Sequence, residues 1–91
     1  MSYHIIIDNK AGKEIKRLHS VIAKQVINKI SELASNPRPH GYLKMSGYES
    51  DRVAGDDYYR IRVGNIRIIY TIEEQIITVT VVQVKKRGDI Y

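Results

Sequence analysis

Apolar and polar residues change their rhythm along the chain, and each change predicts an element. Residues 3–7 are rich in isoleucine and read as a first strand. Over residues 10–19, Ala11, Ile15 and Leu18 recur at helical spacing, with Asp8 or Asn9 as the side chain that caps the helix. Ser20 is a second candidate cap. It opens a helix from residue 21 to about residue 35, striped by Ile22, Val26, Ile30 and Leu33. Asn36-Pro37-Arg38-Pro39 ends that helix, since proline has no amide donor and disfavours helix in the residue before it. A short strand is expected around Leu43-Lys44-Met45, then a polar loop over residues 48–57. Beyond it the period becomes two. Residues 58–63 and 66–73 read as strands joined by the two-residue turn Gly64-Asn65. After a turn at Glu74-Gln75, residues 76–84 are apolar almost throughout, which predicts a central strand covered in part on both faces. The predicted fold class is α+β: two N-terminal helices packed on a small, mainly antiparallel sheet, as one domain over residues 1–91.

The turn also predicts a register. With Gly64 and Asn65 as the loop, Val63 faces Ile66, Arg62 faces Arg67, and Ile61 faces Ile68. Alternation then puts Arg60, Arg62 and Arg67 on one face, and Ile61, Val63, Ile66, Ile68 and Tyr70 on the core face. Like charges directly across two strands destabilise by up to about 1 kcal/mol. An opposed arginine pair is therefore cheap only where something negative lies between, either a carboxylate of the protein or a ligand phosphate. Arginine suits the second role, because its planar fork grips two phosphate oxygens and stays charged near neutral pH.

Composition narrows the chemistry. There is no cysteine, so disulfides, thiolate metal sites and a cysteine nucleophile are excluded. Lys and Arg number 15 against 10 Asp and Glu, a formal charge of +5 that favours a polyanionic partner. The start of the chain has no basic stretch and only a three-residue isoleucine run before Asp8, which fits neither a secretion signal nor a membrane span. A cytosolic setting is the expectation. The last residues, Lys85-Lys86-Arg87-Gly88-Asp89-Ile90-Tyr91, follow a strand expected to run beside the Gly64-Asn65 turn. Their cations are thus expected near the arginine face, and a terminal tyrosine there can stack on a base.

The run Tyr59-Arg60-Ile61-Arg62-Val63-Gly64-Asn65-Ile66-Arg67-Ile68-Ile69-Tyr70 resembles the core hairpin of the RelE/ParE toxin superfamily. So do Asn36-Pro37-Arg38-Pro39 after the second helix, Lys44-Met45-Ser46-Gly47 at the start of the sheet region, and the closing Lys86-Arg87-Gly88-Asp89-Ile90-Tyr91. The resemblance spans nearly the whole chain. It implies a RelE-like fold and a cognate antitoxin that blocks the basic site. For RelE-type members it implies a ribosome-dependent endoribonuclease that cleaves mRNA in the A site, using the 2′-hydroxyl to attack the adjacent phosphate, with no metal or cofactor. ParE-type members share the fold but inhibit DNA gyrase and lack the full cationic site.

By this resemblance the catalytic candidates are Arg60, Arg62, Arg67, Arg87 and Tyr91, with Lys44, Lys85 and Lys86 as RNA-binding lysines. Arg67 and Arg87 would hold the scissile phosphate and Tyr91 would stack on a base. Arg60 and Arg62 stand where some relatives carry lysines, one of them thought to accept the 2′-hydroxyl proton. An arginine is a poor general base. The polar stretch over residues 50–56 is a second departure from the family pattern.

Other chemistry reads as weaker. His4, His19 and His40 fall on a strand, a helix end and a loop, and are expected to be surface or structural residues outside the cationic site. Asp51, Asp56 and Asp57 match no calcium or zinc spacing. Lys10, Lys13 and Lys16 fit either ribosomal RNA or the wet face of a helix. Two alternatives to the nuclease stand beside it: a ParE-like gyrase inhibitor and a non-catalytic RNA- or antitoxin-binding domain.

Overall fold

The computed structural model describes residues 2–45 and 57–86. Strand β1 (His4–Ile7) leads into helix α1 (Asn9–Lys16) and helix α2 (Ser20–Glu32). Strands β2 (Leu43–Met45), β3 (Tyr58–Val63), β4 (Ile66–Glu73) and β5 (Thr78–Lys86) follow. They form one sheet in the order β1-β5-β4-β3-β2. All neighbours are antiparallel except β1, which pairs in parallel with β5 from His4–Thr78 to Ile7–Val81. This is the predicted α+β architecture.

Both helices cover one face of the sheet. Ala11 and Ile15 of α1 and Val26 and Ile30 of α2 form one core with Leu33, Ile61, Ile66, Ile68, Tyr70, Val79, Val81 and Val84. The expected core face of the hairpin is therefore buried, with Val63 partly so. A second, smaller cluster of Tyr58, Ile69 and Val82 lies on the opposite face, packed by Met45. The apolar run of β5 thus serves both faces. It does so through an irregularity: Ile69 pairs with Gln83 but Tyr70 with Val81, so Val82 is an extra residue that shifts the alternation.

Local chemistry moves several element ends from their predicted places. Asp8 stands at the N-cap of α1 without a side-chain cap bond. The second cap is His19 rather than Ser20, its Nδ1 accepting from the Val21 amide, and Ser20 is already helical. Ile22 is 37% exposed, at the margin of the α2 stripe rather than inside it. The last strand starts at Thr78, not Ile76, and runs on to Lys86. Glu74–Ile76 form a 3-10 turn, and Ile77 turns the chain at a φ of 48°, a left-handed conformation costly for a β-branched residue. The predicted loop over residues 48–57 lies outside the described residues except for Asp57, as do Ser46 and Gly47.

At the end of the sheet away from the Gly64-Asn65 turn, tyrosines lock the segment after α2 in place. Tyr42, Tyr59 and Tyr70 stack with ring centroids 5.8 and 5.9 Å apart. The buried Tyr70 hydroxyl donates to the Pro37 carbonyl at 2.8 Å. Burial holds the Tyr70 phenol far above its ordinary pKa. Beside it, Glu74 accepts from the Tyr3 hydroxyl and from the Arg38 guanidinium, and these bonds hold its carboxyl below the usual range.

Candidate nucleic-acid interface

Gly64 takes a φ of 57°, the positive value that the first position of a tight hairpin turn demands. That turn sets the register: Val63 with Ile66, Arg62 with Arg67, Ile61 with Ile68. The opposed arginines expected from the sequence are therefore present. Strand β5 adds a third cation, because Arg67 also pairs with Lys85. Cross-strand partners share a face. Arg62, Arg67 and Lys85 thus form a row across three adjacent strands, roughly 10 Å from end to end at the usual strand spacing. In the next row the same face carries Leu43, Arg60, Ile69 and Gln83.

Two features distinguish this row from a balanced surface of paired charges. Among the described residues, neither Arg62 nor Arg67 has a carboxylate at ion-pair distance. The Arg67 Nε is buried and has no hydrogen-bond acceptor among the described residues. A buried guanidinium nitrogen without an acceptor costs on the order of 1–3 kcal/mol, more when charged.

Lys85 is held differently. Strand β1 ends at its pairing with Val81, which leaves the far half of β5 without a strand on that side among the described residues. Glu14 of α1 fills the gap. One carboxylate oxygen accepts from the Val84 amide at 2.8 Å, and the other lies 2.7 Å from the Lys85 ammonium. The Glu14 side chain is only 10% exposed. This carboxylate ties down the end of β5, and sequence reading missed it, since Glu14 lies on the polar side of the first-helix stripe and carries no motif.

The remaining lysines are more distant from the row. Lys44 pairs with Tyr59 and so shares the helix-side face, with its ammonium 3.5 Å from Asp57. Lys86 pairs with Ile66 and lines a groove with Ile22, Gln25 and Asn65 on that same side. Arg87 and Tyr91 lie outside the described residues.

His40 is exposed, as expected, but lies closer to the arginines than its place in the sequence implied. Expected away from the cationic site, it lines a notch of about 260 Å³ together with Lys29, Gly41, Leu43, Arg60, Ile61 and Arg62. Only the folding of the segment after α2 against the sheet edge brings His40 and Lys29 there. Among the described residues, no group of three or more His, Cys, Asp or Glu side chains is placed to hold a metal ion, and no helix is long and apolar enough to cross a membrane.

A family model described as the ParE toxin of the parDE type II toxin–antitoxin system matches residues 5–91. No curated protein sequence matches the chain. Among solved structures, an archaeal RelE–RelB complex from Pyrococcus horikoshii OT3 superposes with a TM-score of 0.79 at 25% identity, covering 98% of this chain and 99% of that one. The intact RelBE toxin–antitoxin complex of E. coli gives 0.68 at 26% identity, over 93% and 96% of the two chains. The RelB–RelE antitoxin–toxin complex of Methanococcus jannaschii gives 0.68 at 27% identity, over 94% of each.

Proposed function

Since the chain belongs to the ParE toxin family of type II toxin–antitoxin systems, we propose that it is a ribosome-dependent endoribonuclease toxin that cleaves mRNA in the A site and so stops translation. The observation that carries this reading is the Arg62–Arg67–Lys85 row, with the Arg67 Nε buried and lacking an acceptor. A phosphodiester over the row supplies the counter-charge that the described residues do not give Arg62 and Arg67. The 2′-hydroxyl oxygen attacks the adjacent phosphorus and the bond to the 5′-oxygen breaks, leaving a 2′,3′-cyclic phosphate and a 5′-hydroxyl. Charge grows on the phosphate oxygens, and Arg67 with Arg87 stabilises it, the kind of preorganised electrostatics that dominates such reactions. Arg60 and Arg62 orient and polarise the hydroxyl. Arginine does not take its proton, which passes to a group outside this set, while the leaving 5′-oxygen gains one. Tyr91 stacks on a base beside the scissile step.

The partner in this reading is a cognate antitoxin that covers the cationic row in a cytoplasmic complex. The three solved relatives described above, each bound to a RelB antitoxin or in a RelBE complex, support it. The family description favours a second reading, inhibition of DNA gyrase. One pair of assays separates them. Purified protein is added to ribosomes programmed with a defined mRNA, and in parallel to a gyrase supercoiling reaction. The nuclease reading expects new mRNA ends inside the A-site codon and undisturbed supercoiling. Intact mRNA with arrested supercoiling overturns it.

A further inference from the structure

We infer that the notch beside Lys29 and His40 is a second phosphate subsite, which holds the mRNA strand one or two nucleotides away from the scissile step. The inference rests on the nuclease reading and adds residues to it. Strand β2 ends at the Leu43–Arg60 pair, while β3 continues to Val63, so the sheet edge steps inward there. Residues 40 and 41 and the α2 side chain Lys29 border the step. Among the described residues its lining contains Lys29, His40, Arg60 and Arg62 and no carboxylate. Lys29 does have a counterion in Glu32, but at 3.9 Å and with Glu32 69% exposed, a weak surface pair that a phosphate can displace.

Size and continuity select the ligand. At about 260 Å³ the notch is smaller than the roughly 300–1,000 Å³ of sites that enclose a whole small molecule. It fits a piece of a longer polyanion. Arg60 and Arg62 belong both to the notch and to the cationic face. A strand whose phosphate lies over Arg62 and Arg67 therefore enters the notch without leaving positive ground. Leu43, half exposed at 50%, forms an apolar wall on which a ribose or base can lie.

The test uses the full chain on programmed ribosomes with two mRNAs, one extending on both sides of the cleaved step and one ending just beyond it. The double variant Lys29→Gln/His40→Asn alters two surface side chains, and circular dichroism checks its fold. On the long mRNA, KM is expected to rise on the order of tenfold with kcat little changed, and the salt dependence of log kcat/KM to flatten by about 0.7 per lost contact. On the short mRNA the variant and the parent are expected to be equal, and on the long mRNA the conservative Lys29→Arg, with His40 intact, is expected to keep a KM close to the parent's. Unchanged KM and salt slope on the long mRNA overturn the subsite while leaving the nuclease reading intact. A penalty that persists on the short mRNA also overturns it, since the contact is then to ribosomal RNA. Failure of the parent protein to cleave either mRNA removes the nuclease reading itself, and the subsite with it.

Discussion

In the proposed nuclease reading, Arg67 is the residue on which the chemistry turns. It sits between two other cations, on strands to either side, and part of its guanidinium is buried without an acceptor. Arg67→Ala is expected to lower kcat for mRNA cleavage by about 10²–10³, the usual cost of removing one preorganised donor. Arg67→Lys keeps the charge but loses the fork, so its rate is expected between the two. Single-turnover cleavage on programmed ribosomes measures both. Removing a cation from a repulsive row also predicts that Arg67→Ala holds or gains thermal stability, which separates a site defect from an unfolded protein. Thr71 presents a different case of an unmet group. It is 1% exposed on the same face of the sheet, and its hydroxyl has no partner among the described residues. Thr71→Val removes that hydroxyl at nearly constant shape, and is expected to stabilise by about 1 kcal/mol in urea unfolding. The opposed arginines were legible in the sequence because a two-residue turn fixes register by counting. His40 and Lys29 were not, because only tertiary packing places a loop histidine and a helix lysine beside Arg60 and Arg62.

Among the elements, β5 carries the most. Among the described residues it is the sole neighbour of β1, and it forms one side of the cationic row. Its far half depends on Glu14, which serves as a hydrogen-bonding edge in place of a strand. Glu14→Ala strands the Val84 amide and leaves Lys85 without its counterion. A loss of about 2–3 kcal/mol is expected by urea unfolding, with Glu14→Gln losing roughly half as much because it keeps an acceptor. Equal losses would mean that the carboxylate acts only as filler. Sequence periodicity found β5 but set its ends two residues early. Ile76 and Ile77 are apolar enough to extend a strand, yet the tight return from β4 claims them for a turn. The parallel pairing of β1 was also hidden, since nothing local in Tyr3 to Ile7 distinguishes a parallel edge strand from an antiparallel one. Cap chemistry misled in a smaller way: serine is a common N-cap, but here the His19 ring accepts the Val21 amide.

Over the whole molecule, the helices occupy one face of the sheet and the Arg62–Arg67–Lys85 row the other, so the main core and the row share strands without sharing side chains. This separation predicts how stability and pH are linked. Tyr70 and Tyr3 both have raised pKa values in the folded state, the first from burial and the second from its bond to Glu74. The folded state holds their protons more tightly than the unfolded chain does. Their stabilisation is complete below the ordinary phenol value of about 10 and is lost as pH rises beyond it. Glu74 has a lowered pKa, so its contribution is whole above the usual carboxylate range and is lost as pH falls through the folded value. The urea midpoint is expected to be flat near neutrality and to drop above about pH 10, with Tyr70→Phe flattening the alkaline limb. An alkaline limb of unchanged slope in that variant would contradict the assignment to Tyr70.

The most direct measurement of the central claim is the chemistry of the RNA ends left after incubation with programmed ribosomes. Attack by the 2′-hydroxyl on a phosphate gripped by Arg62 and Arg67 leaves a 2′,3′-cyclic phosphate upstream and a 5′-hydroxyl downstream, both absent with Arg67→Ala. Ends bearing a 5′-phosphate, or transcripts left whole while the protein still arrests growth, would contradict it.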